Sequence, residues 1–492
     1  MSDKTTLQRQ IFKSTGIIGG AKVLTIIIGI LRVKVVAVLL GPSGLGVMSL
    51  FQSTIDLVRN GTGLGINISG VRHIANSAAS KDAQKLANAV TVLRRWAVGT
   101  GILGSLLMVA FSAELSKYAF GSDEYTLSII YISIILIFNS ISSNQIALLQ
   151  GLRKIGQIAK STIYGALLSV FLTIPVLWWL KSEGIVATLI LGSLITLFVS
   201  WKYTRNIDIS YSKLSFRDTL IGGLDMGKLG IFVVVSGFIA TATMFAVRTF
   251  IASENDIDAV GYFQAAWMIS NVYMGIVLNA MLADFLPNLS AISKNNEASN
   301  KLINEQMEVA LLIGSPLIVL LISFSEPVIN ILYSKSFSLA VPLLQWQMLG
   351  AFFVFVSWPI GVMFLAKNKG LFSVIINSVW SLSYYSMIVL GWNKYGFDIL
   401  GIAYFVSAIL NLAAVYFCAR IVGGFSFSRN NIKYIITLGS VVIISLINGH
   451  YFYGYEQYLV SGLLFSFVTI FCYLKIAQVI DMKDIYNTFI GR

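Results

Sequence analysis

Apolar runs long enough to cross a bilayer recur along this 492-residue chain, and no other feature restricts its fold as strongly. About 30 Å of hydrocarbon calls for roughly 20 apolar residues in a helix. That length is met fourteen times, near 15–40, 45–70, 88–111, 125–150, 160–180, 184–203, 229–252, 258–286, 302–323, 337–366, 371–392, 397–419, 432–451 and 457–478. Backbone groups in lipid must be satisfied internally, so the spans form either helices or a closed barrel. The alternating ten-residue segments of a barrel are missing, which predicts an all-α polytopic membrane protein of about fourteen helices. Charge agrees: 12% of the residues are charged, against about 25% in soluble domains, too few to cover a water-facing surface. The N-terminus is polar to Ser14, and the run 15–40 is too long for the apolar part of a cleavable signal.

The net charge of +13 could point to nucleic acid, but the cations are distributed as in a membrane protein. With the N-terminus inside, the inner segments hold 26 of the 35 Lys and Arg, whereas the outer loops hold Lys117, Lys181, Lys335 and Lys394 alone. That asymmetry follows the positive-inside rule, predicts both termini in the cytoplasm, and accounts for the charge without nucleic acid. Cys418 and Cys472 lie in apolar segments, and His73 and His450 are far apart in sequence. Neither a disulfide framework nor a metal cluster is indicated.

The stretch LLGPSGLG, residues 39–46, joins the first two spans. A phosphate-binding loop would follow a strand and carry Lys-Ser/Thr after its last glycine, or would sit in a βαβ unit. With neither context available, Gly41, Gly44 and Gly46 are expected to make a tight extracytoplasmic turn.

An internal repeat emerges at an offset of 212. Phe51-Gln52 falls on Phe263-Gln264, Gly63 on Gly275 and Asn67 on Asn279, and at 213 Phe111-Ser112 falls on Phe324-Ser325. The chain therefore divides into a polar N-terminus 1–14, a six-helix bundle 15–203, a linker 204–228, a second bundle 229–419, two further helices within 432–478 and a tail 479–492. On a continuous second span, Gln52, Asp56, Arg59, Asn60, Gly63 and Asn67 share one face; on the eighth, Gln264, Asn271, Gly275 and Asn279 form the equivalent stripe. Lipid penalises such faces, so they are expected to point into protein or a water-filled cavity. Interhelical hydrogen bonding across close-packed glycines is the plainer alternative. Asn139, Ser143 and Gln150 make a weaker third stripe.

Five cations lie inside spans: Lys22, Arg32, Lys34, Arg59 and Arg248. Lys34 and Arg248 are near outer span ends and can snorkel. Taken together, the five suggest a cationic path suited to an anionic substrate. Trp178, Trp179, Trp201 and Trp392 sit at span ends as interfacial belt residues, whereas Trp267 and Trp346 could stack on sugar rings or pack the core.

The amphiphilic N-terminus, LLGPSGLG after the first span and fourteen spans in two halves resemble the O-antigen (Wzx-type) oligosaccharide flippases of the multidrug/oligosaccharidyl-lipid/polysaccharide exporter superfamily. The resemblance covers essentially the whole chain. It implies two six-helix bundles around a central cavity that alternates between inward-open and outward-open states in a bacterial inner membrane. The implied substrate is a polyprenyl diphosphate-linked oligosaccharide, with membrane lipids, a polysaccharide polymerase and a chain-length regulator as partners. Relatives of that kind carry cationic cavity residues in early helices, a role that Arg32 and Arg59 match by location. The candidate substrate-binding set is thus Arg32, Asp56, Arg59, Asn60, Asn67, Arg248, Gln264, Asn271 and Asn279. No cofactor is expected, and proton or sodium coupling stays open. Two rival functions remain, a drug or cation exporter of the same superfamily and a membrane glycan polymerase or ligase. Internal cations disfavour the first, with Asp56 as the contrary sign, and short outer loops without paired carboxylates disfavour the second.

Overall fold

The computed structural model describes residues 2–479 other than 81, 208, 210, 211, 229, 230, 452 and 453. Its described side chains exclude those of 2–19, 21–23, 66–68, 225–228, 273, 283, 450, 451 and 479, so Lys22, Asn67 and His450 fall outside them. Among the described residues every regular element is a helix. Among the described residues eleven apolar helical stretches are long enough to cross a membrane, and three of these are double. Leu24–Thr62 breaks at Gly41, Ile155–Thr204 holds two helices, and Gly370–Gly423 holds two more.

The chain forms two compact units, Met1–Gly261 and Tyr262–Arg492. The first comprises α1 (Ser2–Thr62), α2 (Ile66–Ala79), α3 (Ala83–Ala110), α4 (Ser112–Phe120), α5 (Thr126–Ile132), α6 (Ile134–Gly151), α7 (Ile155–Leu180), α8 (Gly184–Thr204), α9 (Phe216–Lys228) and α10 (Ile231–Glu254). The boundary falls at the start of α11 (Ile257–Ala291), not in the 204–228 linker. Contacts of α10 and of the first residue of α11 with α1 hold these segments in the first unit. Arg248 of α10 donates from Nε to Ser49 Oγ at 2.8 Å, and a Cβ on Gly46 would lie 2.1 Å from the Ile257 carbonyl oxygen. The linker is itself structured. Its helix α9 docks on α3, where Arg95 Nη1 donates to Leu214 O and Thr219 Oγ1, both at 2.8 Å, and Trp96 Nε1 donates to Thr219 O.

Within the stretch 39–46 the helix breaks at Gly41 alone, and Gly44 and Gly46 are helical. Gly41 has φ 66° and ψ −166°, a region essentially reserved for glycine, and Pro42 follows with its φ fixed. Gly261 lets the Pro42 carbonyl approach closely, since a Cβ there would sit 2.0 Å from that oxygen.

The second unit comprises the rest of α11, α12 (Asn296–Ser323), α13 (Ser325–Leu332), α14 (Ala340–Ala366), α15 (Gly370–Tyr395), α16 (Ile399–Gly423), α17 (Arg429–Tyr451) and α18 (Tyr455–Val479). Its core is α14, which packs on α16 through Gly350 against Tyr404 and Gly401 against Trp346. Small residues let helix backbones approach where apolar burial alone drives little association in lipid.

The two units repeat each other break for break. Helix α3 starts at the N-cap Asp82, stops at Phe111 and restarts as α4; α12 starts at the N-cap Asn295, stops at Phe324 and restarts as α13, each boundary displaced by 213 residues. The α7–α8 and α15–α16 pairs are displaced by 215, with left-handed backbone at Arg153 and Asn368, and again at Lys181 and Gly396. Two elements depart from this rule. The stretch 126–151 is interrupted at Ser133 between α5 and α6, whereas its counterpart α14 is continuous. Residues 257–291 form one unbroken helix, whereas their counterparts 45–79 are interrupted at Gly63–Gly65, where Leu64 and Gly65 have φ 48° and 64°. The second span is therefore not one continuous helix, and the face assigned to Gln52 through Asn67 stops at Thr62. Three glycines in five residues, Gly61, Gly63 and Gly65, weaken the helix at that place.

Candidate functional site

Two cavities with polar side chains in their walls lie inside the first unit, each lined in part by α1. The larger, about 630 Å³, is lined by Arg32 and Gln52 of α1, Asn139 of α6, Ser161 and Ser169 of α7, and Ser193 and Thr196 of α8. Arg32 reaches toward α8 at Gly192, where even a Cβ would come within 3.6 Å of Nη2. Its Nε is buried with no hydrogen-bond partner among the described residues, and no carboxylate lines the cavity. A cation at membrane depth costs at least roughly 2.5–3.5 kcal/mol, so one held without a counter-ion points to a ligand.

The smaller cavity, about 300 Å³, sits at the helix break. It is lined by Arg59, Asn60, Gly63 and Gly65, with Thr100 of α3, Ser140, Ser143 and Asn144 of α6, and Val233 of α10. Interrupted membrane helices leave backbone groups facing a cavity, which is where transporters bind polar substrates. Asp56 lies between the two cavities. Gln52 Nε2 donates to Asp56 Oδ2 at 3.2 Å, and Arg59 Nη2 stands 3.3 Å from Asp56 Oδ1. A polar row therefore runs from the Arg32 cavity through Gln52 and Asp56 to Arg59. Arg59 is 43% exposed, and much of its guanidinium is open to the cavity.

The remaining candidates are distributed differently. Arg248 is 8% exposed, bonded to Ser49 Oγ and Met244 O, and outside the described cavities; it fastens α10 to α1 and is not held open for a ligand. Asn67 begins α2, and its side chain lies outside those described. Gln264, Asn271 and Asn279 belong to α11 in the second unit, where Asn271 and Asn279 are exposed and donate to Trp267 O and Gly275 O one turn back. Trp267 stacks on Phe263 and meets Tyr404 edge-on, and Trp346 packs near Phe405, so both indoles serve the core of that unit. The third stripe divides: Asn139 enters the larger cavity and Ser143 the smaller. Sequence reasoning missed the hydroxyls of α7 and α8. Their signal was small residues at four-residue spacing on otherwise apolar helices: Ser161, Gly165 and Ser169, then Gly192 and Thr196. No cluster of three His, Cys, Asp or Glu able to hold a metal occurs among the described residues.

A family model described as "Polysaccharide biosynthesis protein" matches residues 35–342. The chain belongs to the polysaccharide biosynthesis protein family. Among other relatives of this family member is a lipid III flippase of Escherichia coli (strain K12), 24% identical over 353 residues that cover 70% of this chain and 83% of that protein. A solved structure of the lipid II flippase MurJ in an inward closed conformation has a TM-score of 0.69 at 18% identity, covering 94% of this chain and 98% of the other. An inward-facing multidrug resistance MATE family transporter of the MOP superfamily follows at a TM-score of 0.66 and 17% identity, covering 82% and 96%. The two structural likenesses are likenesses of fold.

Proposed function

We propose that this member of the polysaccharide biosynthesis protein family is a flippase for a polyprenyl diphosphate-linked oligosaccharide. It would carry an O-antigen or related surface-polysaccharide repeat unit from the cytoplasmic to the periplasmic leaflet of a bacterial inner membrane by alternating access, and it is a transporter with no catalytic step. The reading rests on Arg32, a half-buried arginine whose Nε is buried without a partner among the described residues, in a cavity whose walls carry hydroxyls and amides and no carboxylate. Phosphate oxygens take charge-assisted, bidentate bonds from guanidinium. A glycan needs the mixed donors and acceptors that Asn139, Ser161, Ser169 and Ser193 provide, and the prenyl tail can stay in lipid. Arg59 and Asn60 extend the polar surface at the helix break, with Asp56 paired to Arg59, and Asn67, Gln264, Asn271 and Asn279 are proposed as further amides for the glycan from their sequence pattern.

The names of the relatives support a lipid-linked glycan as the substrate. A cation exporter would present an unpaired carboxylate in the cavity, but Asp56 is tied to Arg59 and Gln52. Cells lacking the protein should accumulate one polyprenyl diphosphate-linked repeat unit on the cytoplasmic leaflet and lose the matching surface glycan. Accumulation of no lipid-linked saccharide overturns the proposal.

A further inference from the structure

A further cavity, of about 450 Å³, lies in the first unit between α3, α6 and α8. Its lining includes Arg94 of α3, Gln145 and Asn144 of α6, and Trp201 and Arg205 at the end of α8. Neither arginine has a carboxylate partner among the described residues, and the Arg205 guanidinium lies 5.1 Å from the Trp201 ring centroid. Gln145 accepts from Ser200 at its Oε1, which leaves its amide N–H groups as donors. Asn144 is 5% exposed, and its Oδ1 has no partner among the described residues.

What surrounds these groups identifies the ligand class. From Arg94, α3 continues with Val98, Ile102 and Leu106, all exposed, at four-residue spacing. From Arg205, α8 runs back through Trp201, Phe198 and Leu194, also exposed, along one face. Two apolar tracks therefore descend from one cationic pocket, at the level where the apolar stretch Ile155–Thr204 ends. A free anion would use the arginines and leave both tracks idle. A phospholipid uses both, with its phosphate on the arginines, its acyl chains along the tracks and an interfacial tryptophan between.

We propose that this pocket binds the headgroup of an anionic phospholipid, of the phosphatidylglycerol class, at the membrane boundary. Asn144 also lines the Arg59 cavity, so the lipid would rest against a wall of the substrate path.

The test is native mass spectrometry of the full-length protein released from detergent micelles with palmitoyl-oleoyl phosphatidylglycerol or the matching phosphatidylcholine. Each arginine near an anionic headgroup is worth about fivefold, so Arg94→Gln with Arg205→Gln should weaken phosphatidylglycerol binding about thirtyfold and leave phosphatidylcholine binding unchanged. Both side chains are exposed, which spares the fold, and the charge-keeping pair Arg94→Lys with Arg205→Lys should retain most of the binding. Equal phosphatidylglycerol binding by wild type and the glutamine variant overturns the proposal. Equal losses for both lipids overturn it too. So does inorganic phosphate or farnesyl diphosphate competing as well as phosphatidylglycerol, because the pocket would then be a plain anion site or part of the substrate path.

Discussion

Replacing Asp56 by Asn and Arg59 by Gln together separates a structural ion pair from a substrate contact. Arg59 is 43% exposed and Asp56 30%, and the two stand at i and i+3 on α1. Partly exposed helical pairs of this kind contribute about 0.3–0.5 kcal/mol, so removing both should change stability by less than about 1 kcal/mol. A hydrogen bond to a charged group contributes about 1.5–3 kcal/mol, which corresponds to roughly a ten- to 150-fold loss of productive substrate binding. The double variant should therefore reach wild-type levels in the membrane, melt within a few degrees of wild type, and restore surface glycan poorly to a strain lacking the gene. Single Arg59→Ala should fail in the same assay, and Arg59→Lys should recover part of the activity, since an ammonium keeps the charge and loses the bidentate geometry. Normal glycan export by the double variant would refute the reasoning and reduce Arg59 to the counter-ion of Asp56.

Gly41→Ala should destabilise the protein by about 1–3 kcal/mol through backbone strain alone, because nothing lies within 4 Å of a Cβ there; a thermal-shift assay of the purified variant checks it. Arg95→Ala removes two hydrogen bonds that hold the linker to α3, and limited proteolysis should then cut between 205 and 216 faster than in wild type. Cysteines at Ser43, Ser122 and Gly454 should be labelled from outside intact cells, and a cysteine at Asn430 only after permeabilisation; outside labelling at Asn430 would overturn the proposed orientation.

Much of the fold was legible because hydropathy and glycine placement act locally. Span lengths follow from bilayer thickness, and the Gly41-Pro42 break follows from a glycine free to adopt positive φ beside a proline whose φ is fixed. The repeat was visible in a few matched pairs, and the structure extends it to positions that share no residue identity, such as Lys181 and Gly396, because what recurs there is backbone conformation. The break at Gly63–Gly65 was harder to read. A helical wheel assumes continuity, and the same glycine, Gly275, sits inside an unbroken helix in the second unit. Arg248 illustrates the limit of reading charges in spans. From sequence it resembles Arg32, yet Ser49, distant in the chain, satisfies it, whereas Arg32 Nε has no such partner among the described residues. Whether a membrane cation is spoken for depends on long-range packing, and composition does not encode that.

The proposed function requires that Arg32 and Arg59 bind the diphosphate of a lipid-linked glycan. Its most direct test is translocation of a fluorescent prenyl diphosphate-linked disaccharide by purified protein in proteoliposomes, beside the same disaccharide on a neutral prenyl glycoside. Wild type should move the diphosphate-linked probe and not the neutral one, and Arg32→Gln, folded and inserted as wild type, should lose at least tenfold of that rate. Transport of both probes at equal rates, or an undiminished rate in Arg32→Gln, would contradict it.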